Sequence, residues 1–272
     1  MEKIKHIIDN LPQIEGAELK ISTNENQLFA TVDPEELSVE LERGASAKIV
    51  VLHEGTKTSN MTVKVGEDAH LELAELYLSE VGAKVNIEQA DSSVCHVSMI
   101  ALGGAKTDYV MDLNGRGAES SLHGLFLLGG KEQFEMTLRT NHNVPDCVSN
   151  SSVKGVAGGE SVGKFWGLVY VAPDAQRTDA QQQSRNILLS ETARIDTKPQ
   201  LEIYADDVKC THGATVGQMD DDAILYMRQR GLSESQARSL QVEGFVSDVV
   251  LHCGIEPLCE ALMARLATKL EK

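Results

Sequence analysis

From Ala17 to Gly217 the apolar residues recur with period two, and turn signals interrupt them every several residues. Leu37, Val39 and Leu41 alternate with polar neighbours, as do Met61, Val63 and Val65, and then Leu71 and Leu73. Side chains on a strand point alternately to opposite faces, so this pattern reads as short strands with one buried face each. Glycines punctuate them at Gly44, Gly55, Gly66, Gly82, Gly103 and Gly104. No helical period intervenes, which requires an all-β body. Aromatic residues make up only 4% of the chain, so its core rests on Val, Ile, Leu and Ala.

Two architectures meet this pattern. A β-sandwich is built from antiparallel hairpins, whose tight turns favour Asn-Gly and Asp-Gly, and Asn114 followed by Gly115 is the one such pair. A β-solenoid stacks similar coils without tight hairpins, and the absence of a strict hexapeptide repeat makes any solenoid here an irregular one. The ends of the chain read differently. Ile4, Ile7, Ile8 and Leu11 fall on one helical face before Pro12. Beyond Gly217, Asp220 suits a helix N-cap and Gly231 the position after the helix end. Ser233 with Gln236 forms a capping box, and Pro257 suits the first turn of a third helix striped by Leu258, Leu262, Leu266 and Leu270. The expected organisation is a helical segment over 1–16, a β body over 17–218 and a helical region over 219–272.

The net charge of −16 disfavours nucleic acid and anionic membrane surfaces as partners. No run approaches the roughly 18 apolar residues of a membrane span, and the N-terminus lacks the apolar core of a secretory signal. Five irregularly spaced cysteines with no CxxC suggest neither a disulfide framework nor a zinc ribbon, and a reducing cytoplasm fits them. There is no GxxxxGK[ST] loop, no GxGxxG opening a helix, no GxSxG and no HExxH. If the chain takes part in ATP-driven work, another chain is therefore expected to bind the nucleotide.

Thiol and imidazole remain. Val208, Cys210, His212, Ala214 and Val216 share one strand face, with Lys209, Thr211 and Thr215 on the other. A thiolate and an imidazole on one face can bind iron or zinc. The plainer reading makes Cys210 a small buried hydrophobe and His212 a hydrogen-bonded histidine at a sheet edge. Cys95 and His96 are adjacent and so point apart, His142 and Cys147 flank a turn at Pro145, and Cys253 lies on an apolar helix face. The acidic run Asp220 to Asp222 is best explained by the dipole of the helix it opens.

The segment Thr197 to Gly231, TKPQLEIYADDVKCTHGATVGQMDDDAILYMRQRG, strongly resembles the core signature of the SufB/SufD family of the SUF iron–sulfur cluster assembly system. Gly167 to Tyr170, Thr178 to Ser190, and His142 to Asn150 with Lys154 and Gly155 are similar too, so the resemblance runs from about residue 135 onward. It implies a right-handed parallel β-helix followed by C-terminal helices that dock a SufC-like ABC ATPase, which carries the nucleotide. It implies a short, SufD-like scaffold pairing as a homodimer or with a SufB-like subunit, and a transient iron–sulfur cluster at the shared interface. Carried over by residue, His212 matches the SufD-type histidine implicated in cluster formation, and the SufB-type cysteine position falls on Met227. Cys210 belongs to the shared KCxHG pattern and joins His212 as a candidate cluster and metal ligand through their common strand face. Glu256 is the position of a SufB-type acidic ligand, and Cys95 and Cys147 are further thiols.

Overall fold

A computed structural model describes residues 2–270 apart from 23 and 25. The strands form two parallel eight-stranded sheets. One holds β1 (Glu18–Ile21), β3 (Glu36–Leu41), β5 (Ser59–Val65), β7 (Val81–Gln89), β9 (Ala105–Leu113), β11 (Gln133–His142), β13 (Val162–Val171) and β15 (Arg194–Ile203), in that order. The other holds β2 (Gln27–Val32), β4 (Ser46–His53), β6 (His70–Tyr77), β8 (Val94–Ala101), β10 (Glu119–Leu128), β12 (Val148–Ala157), β14 (Asp179–Leu188) and β16 (Lys209–Gln218). Odd and even strands alternate between sheets, so each coil contributes one strand to each wall. This is a parallel β-helix, and the solenoid reading holds.

The repeat is the coil rather than a hexapeptide. Ser46 pairs with His70 and His70 with Val94, each 24 residues on. Later coils are longer: Val148 pairs with Asp179, 31 residues on. The late strands are correspondingly ten residues long where β3 has six.

The lumen of the early coils is aliphatic. Leu37, Val39, Met61, Val63, Val85 and Ile87 of the odd sheet meet Ile49, Val51, Leu71 and Leu73 of the even sheet, all within 3% of full burial. Each such side chain contributes roughly 1.5–3 kcal/mol on leaving water. The even sheet is covered on its outer face as well. There Val50, Leu52, Ala74, Leu76, Ile100, Leu125 and Val156 form a second core with the helices. Double burial explains why β4, through Ile49 to Leu52, and β8, through Met99 to Ala101, read as apolar runs in their second halves instead of alternating.

Four helices supply that cover. α1 (Glu2–Asp9) contributes Ile4 and Ile8. α2 (Asp221–Gln229) starts at Asp220, whose side chain accepts from the Ala223 N–H. α3 (Glu234–Leu251) starts at Ser233 with the full capping box to Gln236. α4 (Glu256–Leu270) buries Leu258, Leu262 and Leu266. Three lysines tie α3 and α4 to the coils. Lys154 Nζ donates to the Asp248 carboxylate at 2.7 and 2.8 Å and to the Phe245 carbonyl at 2.7 Å. Lys269 Nζ donates to the Leu102 carbonyl at 2.9 Å, and Lys48 Nζ to the Gly254 carbonyl at 3.1 Å.

The two ends of the stack differ. At the first coils the chain around Pro12 and Ile14 exchanges hydrogen bonds with Ala30 and covers the β2 edge. At the last coil β15 and β16 are the terminal strands of their sheets, each ten residues long and largely exposed.

Candidate functional site

The site is built on β16. Its Lys209 to Gln218 register pairs residue by residue with Asp179 to Leu188 of β14, so Cys210 stands over Ala180 and His212 over Gln182. Cys210 is half-buried and packs with Val169, Val171, Ala175, Ala180 and Ala205. His212, two residues on, shares that inward face but is exposed, because no coil follows it. The strand face expected from the sequence is therefore the face that closes the open end of the lumen.

Burial raises the Cys210 thiol above its ordinary pKa, against a smaller opposing effect of the Ala180 N–H. Free, it is a thiol at neutral pH, and it becomes a ligand only when metal displaces its proton. A half-buried sulfur with a nearby exposed imidazole fits a soft or borderline ion such as iron. Two such ligands fill half of a tetrahedral set, and among the described residues no group of three His, Cys, Asp or Glu side chains is arranged to hold a metal. What the chain offers at this end is half a site.

Glu256 is not brought there. It opens α4 two residues after Gly254, whose carbonyl is held by Lys48 on β4. From β4 to β16 is six strand spacings, roughly 29 Å. Cys95 lies in the same inward column as Cys210, through Ser120, Ser149 and Ala180, but four strands deeper. It is fully buried, and burial pushes its thiol up to about 12. His96 faces outward, as adjacency required, and meets the Ser121 hydroxyl at 2.7 Å. His142 and Cys147 do not converge. The His142 Nε2 meets Ser149 Oγ at 2.8 Å inside the lumen, while Cys147 donates to the Gly115 carbonyl at a corner. Beside Cys147, Asp146 is held well below the usual carboxylate range, to about 2, by Arg177 and Arg116. Cys253 is core, as its helix face suggested.

The residues that sequence reasoning missed are the lumen groups beneath His212. Gln182, Ser184 and Asn186 of β14 and Thr140 and His142 of β11 are buried and face inward. Gln182 has no partner on either amide atom, nor has Asn186 on its Oδ1 or Thr140 on its Oγ1. The signal was present in the alternation of β14, which places polar residues at 182, 184 and 186 where an inward face should be apolar. A second missed feature is the pair of stacked imidazoles His123 and His252, 3.8 Å apart, which line a cavity of about 300 Å³ between the even sheet and the end of α3.

Residues 21–245 match the family model described as the SUF system FeS cluster assembly SufBD core domain. The match thus begins far upstream of the motifs around residue 135. The chain is 33% identical over 218 residues to the iron–sulfur cluster assembly protein SufD of Escherichia coli (strain K12), covering 78% of this chain and 52% of that protein. It is 32% identical over 254 residues to an iron–sulfur cluster assembly SufBD family protein of Synechocystis, covering 82% and 55%. A SufBD family protein of Mycobacterium leprae is 27% identical over 279 residues, covering 94% and 70%. The chain spans about half the length of the first two of these relatives. No helix among the described residues is long and apolar enough to cross a membrane.

Proposed function

We propose a scaffold role that proceeds from one premise: the chain belongs to the SufBD core family of the SUF iron–sulfur cluster assembly system. In this reading the chain is a non-enzymatic cytoplasmic subunit that pairs through the open end of its β-helix. A nascent iron–sulfur cluster is its cargo, with Cys210 and His212 as this chain's ligands. The observation that carries the reading is the juxtaposition at that end. Two long terminal strands present unpaired backbone edges, and a thiol and an imidazole lie on the same rung. Exposed edges of this kind are templates for pairing with another chain. Ile203, Tyr204 and Val216 are exposed alongside them. Pairing about a two-fold axis would bring a second ligand pair to the first.

The helices on the even sheet are the proposed dock for a SufC-like ABC ATPase, which would bind the nucleotide. Leu225 and Tyr226 on α2 and Leu240 and Leu251 on α3 are exposed and available for such a contact. An ATPase that binds the open and closed pair with different affinity would shift between them. Glu256, so far from β16 in its own chain, has no part in this site within one subunit.

A second reading is an auxiliary SufD-like partner that holds no cluster by itself, favoured by the two-ligand count and the raised Cys210 thiol. Iron and acid-labile sulfide per chain separate the two, measured on protein purified without oxygen after co-expression with its ATPase alone. Stoichiometric iron and sulfide, lost in Cys210→Ala and His212→Ala variants that still fold, support the scaffold. Metal-free protein that retains the ATPase supports the auxiliary role.

A further inference from the structure

Cys253 and Cys259 flank the corner between α3 and α4. The Val250 carbonyl oxygen accepts from the Cys253 N–H at 3.2 Å and lies 3.2 Å from the Cys259 sulfur. The Ile255 N–H reaches both sulfurs, and the Cys253 thiol donates to the Cys259 sulfur. Both side chains thus meet at one carbonyl, one N–H and a common proton. That proton holds the Cys259 thiol down to about 6, helped by the N–H groups of Ile255 and Gly254 just before α4. The same bond, with burial, keeps Cys253 protonated. Burial raises the thiols of Cys95, Cys147 and Cys210, so Cys259 ionises first. Neither partner is more than 5% exposed, but Cys253 borders the cavity of about 300 Å³ at the end of α3, which gives a small molecule access to the pair.

A thiolate held against a protonated thiol is the arrangement of a redox dithiol. We propose that Cys253 and Cys259 are a peroxide-responsive pair that closes into a disulfide. The Cys259 thiolate attacks one oxygen of hydrogen peroxide. The O–O bond breaks, and the leaving hydroxide takes a proton from solvent to become water. Cys253 then attacks the resulting sulfenic sulfur, the S–O bond breaks, and the Cys253 proton leaves with that hydroxide as a second water. The two thiols lose two electrons, and the peroxide gains them. The new bond ties the end of α3 to the first turn of α4 around Gly254, whose carbonyl accepts from Lys48. It fixes the corner of the helical region, and a thiol reductant releases it by exchange. Nothing in this chemistry depends on Cys210 and His212 holding cargo.

The test treats the full chain, reduced and free of metal, with a small excess of hydrogen peroxide at neutral pH. Two of its five thiols should be lost when counted after denaturation. Peptide mapping without reductant should show one cross-link, from Cys253 to Cys259, and dithiothreitol should restore both thiols. In Cys253→Ser the reaction should stop at a Cys259 sulfenic acid, trapped by dimedone. In Cys259→Ser no cross-link should form, and Cys253 should be consumed about tenfold more slowly than Cys259 is in the wild type. If either variant fails to fold, the wild-type map decides alone. Five thiols remaining, a cross-link to any other cysteine, or oxidation confined to Cys210 overturns the proposal.

Discussion

The early and late coils share one backbone plan and differ in what fills it. In the early coils the lumen is aliphatic, and its main polar group meets partners: Glu75 accepts from Tyr109 at 2.6 Å and from Tyr77 at 3.1 Å, with His53 Nε2 also at 3.1 Å. In the late coils the lumen carries more Ser, Thr, Gln, Asn and His; single orphaned atoms occur in both halves, at His53, Ser59, Gln89 and Thr107 as well as Thr140 and Asn186, but Gln182 has both amide atoms orphaned. The stacked rings of Phe126 and Phe134, 4.7 Å between centroids, stand where one filling gives way to the other. Backbone ladders hold the coil in both halves, so the polar half need not contribute as much by burial. The late coils spend stability on groups placed one to three rungs below the open end, as a functional site does.

The sharpest way to break this comparison is a pair of opposite substitutions. Leu71→Ala, in the aliphatic lumen, should cost about 3–4 kcal/mol, seen as a lower urea midpoint at unchanged slope. Gln182→Leu should be neutral or raise stability by about 1 kcal/mol in the same assay. Equal losses from both would show that the late lumen is as tightly committed as the early one.

Acid should act on the late half first. Burial holds the His142 imidazole down to about 4, against about 6.5 in the unfolded chain. The unfolded state alone gains that proton between those values, so stability is full above about pH 6.5 and falls as pH drops to 4. The fall is on the order of 3 kcal/mol from this group. Denaturant titrations at pH 7 and 5 should show it, and His142→Gln should flatten the dependence.

Gly155→Ala should cost about 1–3 kcal/mol by overpacking, because its Cβ would overlap the Phe126 ring and the Asn186 amide. A thermal melt reads this directly. The smallest effect is expected at the outer corners, where Lys131 and Glu160 are 3.6 Å apart and both exposed. Lys131→Ala should stay within about 0.5 kcal/mol, and a larger change would mean that the outer charge ladder, rather than the lumen, carries the late coils.

Much of this was legible in the residues. Period-two alternation gave the strands, and the caps at Asp220 and Ser233 gave the helix starts to within a residue, because both signals are local. The face shared by Cys210 and His212 followed from parity alone. The coil repeat was not legible, since loops of changing length move the register from 20 to 32 residues without leaving a motif. Nor was the double burial of β4 to β12: the apolar runs that end β4, β8 and β10 look like any other until the helices are seen to cover them.

The sequence by itself determined strand parity, the capped helices and the family motifs, all set by neighbours a few residues apart. Only the tertiary structure decided that Glu256 stands six strands from His212, that Cys95 shares a column with Cys210, and that Gln182 lies beneath His212 with its amide unpaired. Those relations join residues 25 to 206 positions apart at their closest contacts. They depend on which coil stacks on which, a choice made by long-range backbone pairing and by the burial of two opposed faces.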